Sequence, residues 1–289
     1  MVAIATSVGI LTSATAAMHW AQAQSDKKHA ARRDLSLGAV NRGVALMTVV
    51  QQHRGMAAAL LNGDQSFADR LNNKQQEVDN TLSALGEYFA RVTEFAAGGK
   101  RLEAIRAAWA QLRQEARRYT VEKSFATHTA LIQQVLYLLG DMGERGGLLE
   151  VRNPALATLA EVLLLRLPLL TESIGQARAL GTGYAVRGRC GAVGRIRLSF
   201  LQRRIRDCLN RANVIAESPT LAASTQACRH KVDALQTLID THLTGVERIE
   251  LAPDAYFRAA TEAIDACLAL WHAAEQATRQ VLPGGKLLH

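Results

Sequence analysis

The chain has 289 residues, of which 48% are hydrophobic, 5% aromatic and 21% charged, and it carries a formal net charge of +8. This content is enough to bury a large core and excludes a largely disordered chain, and with only five prolines and many Ala, Leu, Arg and Gln residues it predicts an all-α protein. The positive charge favours an anionic partner, and nucleic acid, lipid head groups and a small anion all fit.

The first 25 residues, MVAIATSVGILTSATAAMHWAQAQS, contain no Asp, Glu, Lys or Arg. About 20 mostly apolar residues suffice for a helix to span a bilayer, so residues 1–25 are predicted to form an N-terminal membrane anchor. Positive charge follows this run at Lys27, Lys28, Arg32 and Arg33, whereas a signal peptide has its positive charge before it. By the positive-inside rule, the chain is predicted to be a single-pass protein of the inner membrane with its body in the cytoplasm. The alternative is a cytoplasmic protein with a helical or frayed N-terminus.

Helix signals continue from about residue 30 to residue 281. Asn153-Pro154 and Ser218-Pro219 each place a capping residue before a proline in the first helical turn, and Ser66 and Asp69 have the spacing of a capping pair. These signals and the apolar periodicity predict eight long helices, at residues 30–62, 66–97, 99–122, 124–142, 154–188, 195–217, 219–245 and 253–281.

The helices are expected to form two stacked antiparallel bundles, residues 30–145 and residues 150–285. Together they make one all-helical domain, residues 30–285. The last helix fits this arrangement, because apolar residues recur at every third or fourth position along it, at Phe257, Ala260, Ile264, Cys267, Trp271 and Ala274.

An arginine interrupts the apolar stripe of the first helix. Residues three or four positions apart mark one face of this helix, namely Val40, Val44, Met47, Gln51, Arg54, Ala58 and Leu61. This face is predicted to point at the core, so Arg54 is predicted to be buried. No acidic residue lies within a turn of Arg54, and a buried cation without a counter-ion costs several kcal/mol. Arg54 therefore needs an anion from elsewhere.

A similar arginine stands in the second half of the chain. The segment QARALG, residues 176–181, echoes QHRG, residues 52–55, and at about 100° per residue Arg178 falls on the packed side of its helix. A guanidinium group stays charged and offers a planar fork of N–H donors, so two of them can clamp a small planar anion. Gln51 and Gln176 could add neutral donors.

Two interpretations of these arginines stay open. In one, Arg54 and Arg178 pair with carboxylates inside the fold or reach the edge of the bundle, and the protein is a membrane-anchored helical scaffold or adaptor without a ligand. In the other, the two guanidinium groups face each other with no carboxylate of the protein between them, and a small anion binds there. Their repulsion would hold the empty bundles slightly apart, and an entering anion would favour tighter packing.

Three blocks of the sequence resemble the nitrate- and nitrite-sensing (NIT) domain family. Residues 46–63, LMTVVQQHRGMAAALLNG, are similar to its opening motif, in which a Gln, a His or Glu and then Arg-Gly lead into a helix of small residues. Residues 162–188, VLLLRLPLLTESIGQARALGTGYAVRG, and residues 254–271, DAYFRAATEAIDACLALW, are similar to its second and last conserved blocks. In this order and spacing, the three blocks cover most of residues 35–280.

The resemblance implies an all-α sensor of two stacked helical bundles that binds nitrate or nitrite through arginines from both halves. By match to the motifs, Arg54 comes from the first block and Arg178 from the second, and with Gln51 and Gln176 they form the predicted ligand site. Glu262 stands where a basic or amide residue is frequent in the family, which leaves the identity of the anion open.

The expected output is an unidentified signalling protein. No kinase, methyl-accepting coil, cyclase or RNA-binding module is predicted after Gln280, so the signal is expected to leave through a partner or through the membrane. A second copy of the chain, in a homodimer, is a further partner to test.

Other functional classes find little support in the sequence. It has no Gly-rich phosphate loop, no H-E-x-x-H, no nucleophile elbow and no acidic pair on an apolar helix face, so the protein is predicted not to be an enzyme. No metal or cofactor is predicted, because the cysteines form no C-x-x-C motif; they are Cys190, Cys208, Cys228 and Cys267. Residues 187–211 are dense in arginine, but few aromatics and no recognition motif accompany them, so nucleic acid is not the expected partner.

Overall fold

The computed structural model describes residues 3–92, 95, 99–150 and 153–282, with side chains from residue 17 onward. In these residues the chain is all-α, with eight helices and no strand, as predicted. The helices are α1 (Ala3–Leu61), α2 (Phe67–Arg91), α3 (Gly99–Glu115), α4 (Val121–Arg145), α5 (Pro154–Val186), α6 (Ala192–Ala212), α7 (Pro219–Ile239) and α8 (Pro253–Val281).

The capping signals are only partly realised. Asn153 caps α5 as predicted, since its side chain accepts hydrogen bonds from two backbone N–H groups of the first turn, at 3.0 and 3.4 Å. The capping roles predicted for Ser66 and Ser218 are wrong, because each precedes its helix but neither side chain bonds to a backbone N–H group there. Helix α2 ends at Arg91, and the predicted continuation to residue 97 falls mostly outside the described residues.

The helices pack in two stacked layers. Helices α1 to α4 pack on one another, α5 to α8 do likewise, and α5 lies against both α1 and α4 where the layers meet. The apolar stripes of α1 and α8 are buried over most of their length, including Val40, Met47, Cys267 and Trp271, whereas Ala58, Leu61 and Phe257 are only partly buried. The exact division at residues 30–145 and 150–285 remains a prediction.

Helix α5 is the central element of the second layer. It contains a π-helical turn at Val162–Arg166, and most of the side chains that follow are buried. By length and composition α5 could cross a membrane, with a mean hydropathy of 1.5 in its most apolar window, but 56% of that window is buried inside the fold. Such burial is typical of a core helix. Because the side chains of residues 1–16 lie outside the described residues, the anchor at residues 1–25 stays a prediction.

All four cysteines are buried and unbonded. The Sγ atoms of Cys228 on α7 and Cys267 on α8 lie 3.3 Å apart, which brings together two residues that are distant in the sequence. Within the described residues, no group of three or more His, Cys, Asp and Glu side chains is arranged to hold a metal ion.

Candidate functional site

Helix α1 carries a run of buried polar side chains at the interface between the layers. Gln51, His53 and Arg54 are 2%, 0% and 1% exposed, respectively. Arg54 therefore faces the core, as its place in the apolar stripe predicts. The guanidinium group lies directly over Gly175 of α5, where an added Cβ would come within 2.8 Å of Arg54 Nη2. The glycine thus leaves the room that the arginine occupies.

The counter-ion of Arg54 is Glu172 of α5. Arg54 Nη1 donates to Glu172 Oε1 at 2.7 Å and Nη2 donates to Oε2 at 3.1 Å, which makes a bidentate pair. Both side chains are buried, at 1% and 3% exposure. The anion-binding interpretation expected no carboxylate of the protein at Arg54, and this expectation is wrong, because an acid 118 residues further along the chain packs against Arg54 as the scaffold interpretation predicts. The predicted arrangement of two bare guanidinium groups is therefore not found, because Arg54 has a counter-ion.

Two further predicted site residues converge on the same carboxylate. Gln51 Nε2 donates to Glu172 Oε2 at 2.9 Å, and Gln176 Nε2 donates to Glu172 Oε1 at 2.8 Å. Each carboxylate oxygen thus accepts one hydrogen bond from Arg54 and one from a glutamine. Arg54 Nη1 also donates to Thr129 Oγ1 of α4, at 3.1 Å. The arrangement is a complete receptor for a planar anion with two oxygens on one edge, and Glu172 fills it.

Arg178 lies beside this receptor and has no such partner. It is 4% exposed, donates to Thr261 Oγ1 of α8 at 2.9 Å, and lies over the ring of Phe257. Arg178 Nη2 lies close to α1: a Cβ atom added to Gly55 would be 3.8 Å from it. Within the described residues no carboxylate lies at salt-bridge distance from Arg178. Of the two arginines, only Arg54 has the internal carboxylate that the scaffold interpretation expects of both.

Burial makes the charge of Arg178 costly. Burial, followed by the nearby charge of Arg54, lowers the pKa of Arg178 to about 10, against weaker opposing effects of Asp265 and Glu172. A pKa of about 10 leaves the group protonated at neutral pH. Of the two buried guanidinium groups, therefore, only Arg54 has a carboxylate in direct contact, while Asp265 and Glu172 act on Arg178 from beyond salt-bridge distance.

A groove lies beside the buried receptor. Arg54 and Gln176 line the floor of a groove of about 1020 Å³ that runs between α4 and α6. Glu172, at 3% exposure, is not among the described residues that line the groove, and Arg178 is held against α8, so an ion from the groove reaches the carboxylate only when the interface between α1 and α5 opens.

A buried histidine pair stands next to Arg54. His128 Nδ1 lies 2.7 Å from the backbone oxygen of Ser124, which can only accept, so Nδ1 carries the proton and Nε2 is an acceptor. His53 Nδ1, 2.7 Å from His128 Nε2, must then be the donor of that bond. The remaining nitrogen, His53 Nε2, is buried without a partner. Protonation of His128 at Nε2 would remove the acceptor of this bond, and protonation of His53 would place a charge beside the unpartnered Nε2 atom.

We expect the histidine pair to make the fold sensitive to acid. Burial, followed by the charge of Lys74, lowers the pKa of His53 to about 3, and burial and His53 hold the pKa of His128 well below its usual range. Between pH 6.5 and 3 the unfolded chain binds more protons than the folded one, so stability is full above about pH 6.5 and falls below it. At pH 5, the lowered pKa of His53 alone should reduce the free energy of unfolding by about 2 kcal/mol relative to its value above pH 6.5.

Thermal unfolding at pH 7.5 and pH 5.0 checks this expectation. The loss between the two conditions should be smaller in His53→Phe, which cannot titrate, and unchanged in His230→Gln, which alters an exposed histidine. An equal loss in all three proteins would contradict the assignment.

The sequence analysis did not identify Glu172, although a signal for it exists. It is the only acidic residue between Glu161 and Asp207, and it stands in an apolar run four residues before Gln176. A lone acid in such a run is expected to be paired. The pairing with Arg54 itself follows only from the three-dimensional packing.

Comparison with known proteins gives one family and one fold neighbour. The family model described as nitrate and nitrite sensing matches residues 45–281. Among solved structures, the NasR transcription antiterminator is similar, with 18% sequence identity, a TM-score of 0.73, and coverage of 93% of this chain and 76% of that one. At this identity the likeness shows a shared fold. Curated proteins give no significant match.

Proposed function

The chain belongs to the nitrate and nitrite sensing family, and from that premise we propose that it binds nitrate or nitrite between its helical layers and signals through a partner protein, without catalysis. Arg54 and Arg178 supply the charge in this proposal, and Gln51 and Gln176 supply neutral donors. The layers that contribute these residues meet at α1 and α5.

One observation supports the proposal: three of the four predicted ligand-binding residues already bind a planar oxyanion, the Glu172 carboxylate. Arg54, Gln51 and Gln176 together donate four hydrogen bonds to the Glu172 carboxylate. Nitrate and nitrite are planar and present two oxygens along an edge, as a carboxylate does, so the same donors suit them. Sulfate and phosphate are tetrahedral and fit this flat arrangement less well.

The entering anion takes the place of Glu172 in this mechanism. Replacing one carboxylate by one free anion keeps the charge on Arg54 neutralised, and Arg178 next to it adds attraction that Glu172 alone does not satisfy. The released carboxylate can turn toward the groove, whose lining includes Arg54 and Gln176. Binding is therefore a competition between the free anion and an internal one.

The exchange gives the anion a means of changing the packing. In the present state the Arg54–Glu172 pair links α1 to α5 and so joins the two layers. A free anion satisfies Arg54 without this link, so the layers can shift, provided the anion binds the shifted state more tightly. Helix α1 runs from Ala3 to Leu61 as one element, so a displacement at Arg54 can pass toward the N-terminal segment. This continuity is compatible with the proposed inner-membrane location.

We expect Arg178→Met to separate anion binding from stability. Thermal unfolding of the full chain is measured with nitrate, nitrite, chloride and sulfate at matched ionic strength. An anion at about 100 times its dissociation constant stabilises by roughly 2.7 kcal/mol, which is several degrees for a domain of this size. Arg178→Met should abolish the nitrate or nitrite shift, yet raise stability without anion by about 1–3 kcal/mol because a costly buried charge is removed.

Arg166→Met is the matched control on the same helix. Arg166 pairs with Glu161 near the surface, so its substitution should leave the anion shift intact. An equal nitrate shift in the wild type and Arg178→Met would contradict the proposed site. Equal shifts with all four salts would favour the alternative, a membrane-anchored scaffold without a specific ligand.

A further inference from the structure

The groove between α4 and α6 is too large for a small anion alone. It is about 1020 Å³, and its walls are largely apolar, with Phe125, Ala126 and Ala130 on the α4 side and Ile196 and Phe200 on the α6 side. Clefts of several hundred Å³ and more accommodate organic molecules or protein segments, whereas nitrate has four atoms. Most of the groove therefore lies outside the anion receptor.

Helix α6 has a second apolar face that nothing covers in the described part of the chain. Val193, Ile196 and Phe200 follow one another at spacings of three and four, and they are 65%, 69% and 55% exposed. The other face of α6, which includes Leu198 and Leu201, is buried against the fold. Apolar side chains exposed in a row beside a groove are typical of a protein-binding surface.

The margins of the groove are basic. Arg187, Arg197 and Arg203 line it, against a single acid, Glu122. The fourth arginine of the lining, Arg54, is already neutralised by Glu172. An occupant that complements the groove thus has an apolar face and acidic flanks.

We propose that this groove binds an acidic amphipathic helix of a partner protein, with its apolar face between α4 and α6 and its carboxylates on the three arginines. A helix in a groove formed by two other helices is a recurrent mode of recognition. A second copy of this chain is a poorer occupant, because it carries the same basic α6 and a net charge of +8. Nucleic acid would use the arginines but would leave Ile196 and Phe200 exposed.

A designed peptide tests the groove without knowledge of the natural partner. The probe is a fluorescein-labelled helix of about five turns with Leu on one face and Glu on the flanks. A second peptide has Lys in place of Glu, and a third has the acidic composition in scrambled order. Fluorescence anisotropy with the full chain should show binding of the first peptide only.

Variants locate the bound peptide. Ile196→Ser with Phe200→Ser, and separately Arg197→Gln, change exposed side chains and should each weaken binding about tenfold or more, equivalent to about 1.4 kcal/mol. Val214→Ser and Arg248→Gln change exposed side chains outside the groove and should have no effect. Equal binding of the scrambled peptide, equal loss in the control variants, or displacement of the peptide by single-stranded RNA would each overturn the proposal. The test uses no nitrate, so its outcome does not depend on the proposed anion site.

Discussion

Substitution of Arg54 by Ala should lower the free energy of unfolding by about 3–5 kcal/mol, because it leaves Glu172 buried without a cation. The side chains of this pair are 1% and 3% exposed, so water cannot replace the lost partner without opening the interface between α1 and α5. The same variant should lose the nitrate-dependent stabilisation, since the receptor has lost its bidentate donor. Urea denaturation with and without nitrate measures both effects.

Two comparisons show whether the buried pair is the cause. Arg101→Ala removes a partly exposed pair with Asp141, at 34% and 31% exposure, and should cost less than about 1 kcal/mol. The double substitution Arg54→Met with Glu172→Leu removes both charges and should recover most of the lost stability, while anion binding stays absent. A loss below about 1 kcal/mol in Arg54→Ala would mean that the pair contributes little to the fold.

Substitution of Glu172 by Gln should increase the affinity for nitrate or nitrite. In the wild type, the free anion competes with a carboxylate that is held permanently beside Arg54, whereas the amide is a much weaker competitor for the same donors. We expect the dissociation constant to fall about tenfold or more, equivalent to about 1.4 kcal/mol. Without anion the variant should be less stable than the wild type, because Arg54 is then buried without a counter-ion.

Isothermal titration at constant ionic strength gives this dissociation constant directly. Glu161→Gln is the matched control, since Glu161 lies on the same helix but pairs with Arg166 near the surface. An unchanged dissociation constant in Glu172→Gln would show that the anion binds without displacing Glu172. A weaker constant would show that Glu172 takes part in holding the ligand.

The position of Arg54 could be predicted from the sequence because it depends on one helix. A stripe with spacings of three and four fixes which side of α1 faces the core, and burial of Gln51 and Arg54 follows from that periodicity alone. The same periodicity predicted which face of α8 is buried, and the proline after Asn153 predicted where α5 begins. Each of these features is local, within a few turns of one element.

The partners of the buried groups could not be predicted, because they come from distant parts of the chain. Glu172 lies 118 residues from Arg54, and His128 lies 75 residues from His53. Sequence periodicity says that Arg54 needs an anion but not whether that anion is a ligand or a side chain. The capping prediction also failed at Ser66, because the sequence pattern is present but the hydroxyl group donates to Asp64 instead.

Because Glu172 occupies the place of the anion in the present state, the structural and the ligand-binding interpretation of the arginines can each apply to a different state of the protein. Arg54 behaves as a structural residue in the present state, and Arg178 has no carboxylate at salt-bridge distance, so an added anion can pair with it. In the proposed mechanism, one site is structural without the anion and ligand-binding with it. The stability of the empty state then sets the affinity for the ligand, because the Arg54–Glu172 pair must open first.

The most direct measurement is a crystal structure of the chain grown with nitrate, with the distance between Arg54 Nη1 and Glu172 Oε1 as the quantity of interest. That distance is 2.7 Å in the present state. We expect nitrate to lie between the guanidinium groups of Arg54 and Arg178, with the Glu172 carboxylate moved beyond hydrogen-bond distance. A structure in which the Arg54–Glu172 pair is intact and nitrate is bound elsewhere, or not at all, would contradict the displacement mechanism.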